Sequence, residues 1–258
     1  MNEKNKKNKK NKRESWSFRK GVILFFVVMI LAMVSVIIFV RGSEKTEKTG
    51  KDFSEDIKGG NEKGQVKQSN TTVVIDPGHG GNDPGKVSSD GVLEKDVNLQ
   101  IAFCLKAELE ERGYNTVMLR ETDTNLAIEG ATNKKMSDMK NRVSIINDSD
   151  ADILISVHQN SYSDPSVRGP QVFYDEASKE GEEFALILQE GLNSIVPEYS
   201  RKCKSSQDYY ILEESVCTGV IVECGFMSCP EETALLTSVD YQQKIASAIA
   251  DAIEKTYN

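Results

Sequence analysis

The chain has 258 residues, enough for one substantial core with accessories, and its charge is unevenly divided. Residues 1–70 hold 16 Lys and Arg against 8 Asp and Glu, and the other 188 hold 16 against 32, so a basic stem precedes an acidic domain. An acidic domain speaks against a nucleic-acid partner, whose phosphates need a positive surface.

Nine Lys and Arg stand in residues 1–20, which read as a basic cytoplasmic tail. Residues 21–40 (GVILFFVVMILAMVSVIIFV) carry no charge and, at ~1.5 Å per residue, span ~30 Å, the hydrocarbon thickness of a bilayer. They are predicted to be a transmembrane anchor that places everything after Arg41 outside the cytoplasm. A cleaved signal peptide fits less well, because the run exceeds the ~7–15 residues of a signal core and no small-x-small site follows. Residues 41–70 are polar, with Gly59-Gly60 and no apolar period, and read as a flexible linker.

Residues 72–75 are β-branched throughout and stop at Asp76-Pro77-Gly78, so a buried strand ends there and His79 lies in a glycine-rich loop beyond it. Glu94 opens a helix in which Leu93, Val97, Ile101, Leu105 and Leu109 recur every four residues, and Gly113 ends it. Residues 115–119 read as a strand, 122–137 as a loop flanking the cleft, and 138–147 as a helix capped by Asp138, with Arg142 turned from its apolar face. Residues 153–157 (ILISV) are a continuous apolar run, as in a strand covered on both faces, and His158 follows. Next come strands at 171–174 and 209–212, separated by a helix at about 181–195, and a buried strand at 219–222 ending on Glu223. A short helix from Pro230 and a closing one at 241–257 complete the order. This alternation predicts an α/β fold with a twisted, largely parallel sheet flanked by helices on both faces, in a single domain. Of the five cysteines, Cys203 and Cys217 would bridge in an oxidising compartment; otherwise all are free thiols.

The chain has two histidines, and both follow predicted strands, while Glu94 and Glu223 mark a helix start and a strand end. Parallel strands would bring all four to one sheet edge, where ligands of open α/β sheets collect. Two imidazoles and one carboxylate, with a fourth position for water, make a catalytic zinc set, and a second carboxylate supplies the general base that amide hydrolysis needs. Each residue has a plainer reading alone: a loop histidine, a first-turn carboxylate favoured by the helix dipole, a glutamate paired with Arg120 or Arg142. Together those readings require four coincidences on one edge.

The stretches VVIDPGHGGNDPG with Glu94, ISVHQN, and GVIVECGFMSCPEE resemble the zinc-dependent N-acetylmuramoyl-L-alanine amidases of the Amidase_3 family, over residues 71–257. The resemblance implies one Zn2+ per chain held by His79, Glu94 and His158, with Glu223 as the catalytic glutamate and residues 71–258 as the catalytic domain. It also implies cleavage of the amide between N-acetylmuramic acid and the L-alanine of the stem peptide in peptidoglycan. Ser161, Cys224 and Cys229 depart from the family's usual residues, and none removes a ligand. One anchor, one linker and one domain are similar in layout to the CwlD-type amidases of sporulation, which act on spore cortex and prepare muramic δ-lactam. That layout implies a cortex substrate, a forespore or spore-envelope location and an accessory lipoprotein. Asn160, just beyond His158, is a candidate substrate contact; Arg168 reads as an ordinary loop residue. Two alternatives compete: a non-catalytic peptidoglycan-binding module on the same fold, and a Cys-His amidohydrolase using Cys224 and His158. An extended backbone turns Cys224 away from Glu223, which counts against the second.

Overall fold

The computed structural model describes residues 68–257. The expected basic tail at 1–20, the expected anchor at 21–40 and the expected linker as far as residue 67 lie outside the described residues. Among the described residues no helix is long and apolar enough to cross a membrane.

Six strands and six helices are described: β1 (Thr72–Pro77), α1 (Glu94–Glu111), β2 (Asn115–Met118), α2 (Lys134–Asp148), β3 (Ile153–Asn160), β4 (Gln171–Asp175), α3 (Lys179–Ile195), β5 (Lys204–Ser206), α4 (Tyr210–Glu213), β6 (Thr218–Phe226), α5 (Pro230–Leu236) and α6 (Val239–Tyr257). They build one sheet in the order β2-β1-β3-β6-β4-β5. β2, β1, β3 and β6 run parallel; β4 is antiparallel to β6, and β5 is parallel to β4. The connection from β3 to β4 lacks a helix that could carry the chain back to the opposite edge, so β4 enters from the edge where β3 ends.

Strand residues alternate between two cores. Val73, Ile75, Ile153, Ile155, Val157, Val220, Val222 and Cys224 pack with α1, α3 and α6, whereas Val74, Leu154 and Ile221 pack with α2 and α4. Both faces are therefore covered, as the unbroken apolar runs of β3 and β6 require. Each fully buried Val, Leu or Ile contributes roughly 1.5–3 kcal/mol.

The structure revises several sequence expectations. Residues 209–212 are not a strand: Tyr210–Glu213 is a one-turn helix, and the edge strand lies earlier at Lys204–Ser206. A four-residue apolar run has no period that separates the two forms, and the helical turn seats both Ile211 and Leu212 in the α2 core. α2 begins at Lys134, capped by Asn133, whose side chain accepts the Met136 N–H. Asp138, the expected cap, instead accepts from the Leu126 N–H and the Arg142 guanidinium. Arg142 does not face away from the core; it is 2% exposed. Its charge is tolerated there because it pairs with Asp76, which is equally buried, and with Asp138. All five cysteines are free thiols, so Cys203 and Cys217 do not bridge.

Candidate active site

β1 leaves the sheet at Pro77, and the Gly78 N–H donates to the Val157 carbonyl at 3.0 Å, so the following loop starts beside the end of β3. His79 has φ 62, in the left-handed region that a non-glycine residue occupies only when its surroundings hold it there. Two arginines do so. Arg120 donates to the carbonyls of Pro77 (2.9 Å) and Gly78 (3.0 Å), and Arg142 donates to those of Pro77 (3.1 Å) and His79 (2.8 Å). Burial alone would raise the Asp76 carboxyl; the Arg142 charge and the Ser156 hydroxyl outweigh it and hold Asp76 below the usual carboxylate range.

Glu94 is the first residue of α1 and is 1% exposed. Its Oε1 lies 3.1 Å from His79 Nε2 and 3.0 Å from His158 Nδ1, and it accepts from the Gln159 N–H at 3.1 Å. Its Oε2 accepts from the Lys86 N–H at 2.7 Å. Burial would raise this carboxyl, but His158 and His79 outweigh it and hold Glu94 far below its ordinary value. The rings of His79 and His158 meet edge to face, 5.0 Å apart. One donor atom from each of His79, Glu94 and His158 lies within 4.8 Å of the other two, so the three can hold a metal ion.

Glycine makes room for this cluster. A Cβ on Gly78 would stand 2.2 Å from His158 Cε1 and Nε2, and one on Gly85 would stand 2.5 Å from Glu94 Oε2 and 2.7 Å from His79 Cδ2.

His158 lies within β3 rather than after it, and Glu223 lies within β6; the two are register partners. Glu223 Oε2 is sealed from solvent and has no hydrogen-bond partner in the protein. Burial pushes this carboxyl up to about 7; the His158 charge opposes the rise and the Glu94 charge adds to it. Glu223 therefore makes no ion pair with Arg120 or Arg142, whose guanidinium groups serve the β1 loop.

Cys224 points into the opposite core, its Sγ 3.6 Å from the Val222 carbonyl, and burial raises its thiol far above the ordinary range. Such a thiol is no nucleophile, which removes the Cys-His alternative. Asn160 ends β3; its side chain accepts the Ser161 N–H at 2.8 Å and lines a cavity beside the cluster's strands. Arg168 pairs with Glu231 and lies over the Tyr199 ring, a structural arrangement.

Sequence reasoning missed Asp83. Its Oδ2 is 2.9 Å from His79 Nδ1, the ring nitrogen turned away from the cluster, and a carboxylate there fixes the tautomer and orientation of a ligating histidine. Burial would lower His79, but Glu94 and then Asp83 outweigh it and hold the imidazole above its ordinary value. The available signal was a carboxylate four residues after His79 across a glycine turn, which Gly80 and Asp83 close by exchanging backbone hydrogen bonds.

Fold and donor set define an α/β domain with a three-donor cluster able to hold a metal ion, and a carboxylate with a buried oxygen beside it, at one edge of a mostly parallel sheet. The chain belongs to the Amidase_3 family, N-acetylmuramoyl-L-alanine amidase, whose model matches residues 73–255. It is 38% identical over 188 residues to the germination-specific N-acetylmuramoyl-L-alanine amidase of Bacillus subtilis (strain 168), covering 72% of this chain and 79% of that one. Its fold is similar to that of the CwlD amidase from Clostridioides difficile, solved in complex with the GerS lipoprotein, at 36% identity and TM-score 0.70 over 72% of this chain and 98% of that one. An N-acetylmuramoyl-L-alanine amidase from Clostridium difficile 630 aligns at 31% identity and TM-score 0.64, over 72% and 95%. The chain is thus a peptidoglycan amidase of this family, and the alternative of a non-catalytic binding module falls away.

Proposed function

We propose that the protein hydrolyses the amide between N-acetylmuramic acid and the L-alanine of the stem peptide with a single zinc ion held by His79, Glu94 and His158. The observation that carries this reading is the convergence of the His79, Glu94 and His158 donors beside a buried glutamate with an orphaned oxygen. The donor set fits zinc: two imidazoles and a carboxylate leave one position open, and Gly78 and Gly85 keep the space that a Cβ would fill. When bound, zinc polarises the scissile carbonyl and lowers the pKa of an attacking water.

The chain's own residues do the rest. Asp83 orients His79, and the backbone N–H groups of Lys86 and Gln159 orient the Glu94 carboxylate. Glu223, with a pKa near 7, can take the water's proton at neutral pH and return it to the leaving amine. Asn160, which ends β3 and lines the neighbouring cavity, is assigned to substrate contact.

Residues 21–40 anchor the protein with its N-terminus in the cytoplasm, and the domain acts on the extracytoplasmic side at the end of its linker. The substrate we assign is spore cortex peptidoglycan, in which the cleavage prepares muramic δ-lactam, in the forespore or spore envelope. Support comes from the germination-specific relative and the CwlD neighbour. That neighbour's lipoprotein complex also supports an accessory lipoprotein as a partner here. Digestion of vegetative and spore-type peptidoglycan by residues 71–258, with and without chelator, tests the reading by product mass. Stem peptides released only without chelator support it; chelator-resistant release contradicts the zinc mechanism, and indifference to wall type contradicts the cortex assignment.

A further inference from the structure

Register partners on neighbouring strands project to the same side of a sheet. His158 pairs with Glu223, Glu223 with Gln171 in β4, and Phe173, two residues on in β4, with Lys204 in β5. One face therefore runs from the metal-binding cluster through Glu223 to Lys204. Its outer part is a cavity of about 510 Å³ lined by Asn160, Gln171, Phe173, Lys204, Arg201 and Phe226, among others. From β6 to β5 is two strand spacings, ~10 Å, which about three extended peptide residues span.

Two cations line this cavity, and among the described residues neither has a carboxylate oxygen within ion-pair distance. Arg112, Arg142 and Arg168 pair with carboxylates, and Arg120 is engaged by backbone carbonyls. The Arg201 side chain makes one hydrogen bond among the described residues, from Nη1 to the Arg168 carbonyl at 2.9 Å. Its guanidinium lies over the Phe226 ring, 5.0 Å from the centroid, and its buried Nε has no partner. The Glu232 carboxylate accepts the N–H groups of Gly169 and Phe226; the Arg201 charge acts on it at longer range, without an ion-pair contact. The side chain of Asn193 accepts the Arg201 N–H (3.0 Å) and donates to its carbonyl (2.8 Å), so the arginine is fixed in place. Lys204 is exposed, and its ammonium makes no ion pair among the described residues.

We propose that Arg201 and Lys204 form a carboxylate-binding subsite, which takes an acidic group of the substrate's peptide about two or three residues beyond the scissile amide. This rests on the reading of Glu223 as the base. In an acidic domain, two neighbouring cations without a close ion-pair contact select an anionic peptide over its neutral analogue.

The test uses the zinc-loaded full-length protein and two muropeptides that differ only in whether the carboxylate beyond the L-alanine is free or amidated. Arg201→Gln and Lys204→Glu are each expected to raise KM for the acidic substrate about tenfold, with kcat within about twofold and the amidated substrate unaffected. Arg201→Lys should recover part of the loss. Lys204 is exposed, so Lys204→Glu decides the matter even should Arg201→Gln fail to fold. Wild-type KM for the acidic substrate in Lys204→Glu, or equal losses on both substrates, would overturn the subsite. Full hydrolysis of both substrates by Glu223→Gln would instead remove the base, and the subsite's orientation with it.

Discussion

His158 and Glu223 stand opposite each other in the parallel ladder between β3 and β6. Register partners share a sheet face, so this pairing sets a buried carboxylate beside an imidazole that also contacts Glu94. Both side chains follow apolar runs that burial requires, which is why the sheet can hold polar groups at its edge without losing its core.

The elevated Glu223 carboxyl has a stability consequence in the metal-free domain. Its folded value, about 7, exceeds the unfolded value near 4.5, so the fold favours the protonated form. That contribution is fully present below pH 4.5 and is lost as pH rises through about 7. Glu223→Gln has no such slope. Denaturant melts should find the variant matching wild type near pH 4 and more stable by roughly 3 kcal/mol above pH 8; a pH-independent difference would contradict the burial argument.

Gly78→Ala should act first on His158, whose ring supplies the three atoms nearest the added methyl. Gly78 is not among the positive-φ glycines, so the added methyl is unstrained except where it meets the imidazole at 2.2 Å. Turnover is expected to fall at least a hundredfold, and metal titration should find weaker binding, because displacing a reacting group by ~1 Å costs about that much. Gly91→Ala is the control: φ is 84 and nothing lies within 4 Å, so it should lower stability by roughly 1–3 kcal/mol and leave turnover intact.

Arg142→Leu strands the buried Asp76 carboxylate. The expected loss is roughly 3–5 kcal/mol by urea melting. Adding Asp76→Asn should restore part of it, since the penalty comes from the orphaned charge; an additive double variant would contradict this.

Asp83→Asn leaves the cluster's donors in place and alters only what orients His79. Zinc affinity by competition titration should fall roughly 10- to 100-fold, with the fold's melting temperature nearly unchanged. Unaltered affinity would mean that Asp83 is only a turn residue.

Much of the site was legible because burying it is costly. A glutamate straight after VIV, and two histidines at the ends of apolar strands, are arrangements a core does not accept without a reason. The strands β1, β3 and β6 and the helices α1 and α6 carried enough period or length to be read directly. β5 and α4, at three and four residues, did not. The inward turn of Arg142 was hidden for another reason: its main partner, Asp76, is remote in sequence, and its other acceptors are backbone carbonyls. Arg120 was hidden on the same grounds, since it meets the β1 loop through the Pro77 and Gly78 carbonyls; Asp83 left only a weak signal, its spacing of four from His79.

Zinc content of the purified domain, measured for wild type, His79→Ala, His158→Ala and Glu223→Gln alongside turnover, probes the convergence of these residues most directly. One zinc per chain in wild type and in an inactive Glu223→Gln, with zinc lost from both histidine variants, is the predicted result. Full zinc in the histidine variants, or wild-type turnover in Glu223→Gln, would contradict it.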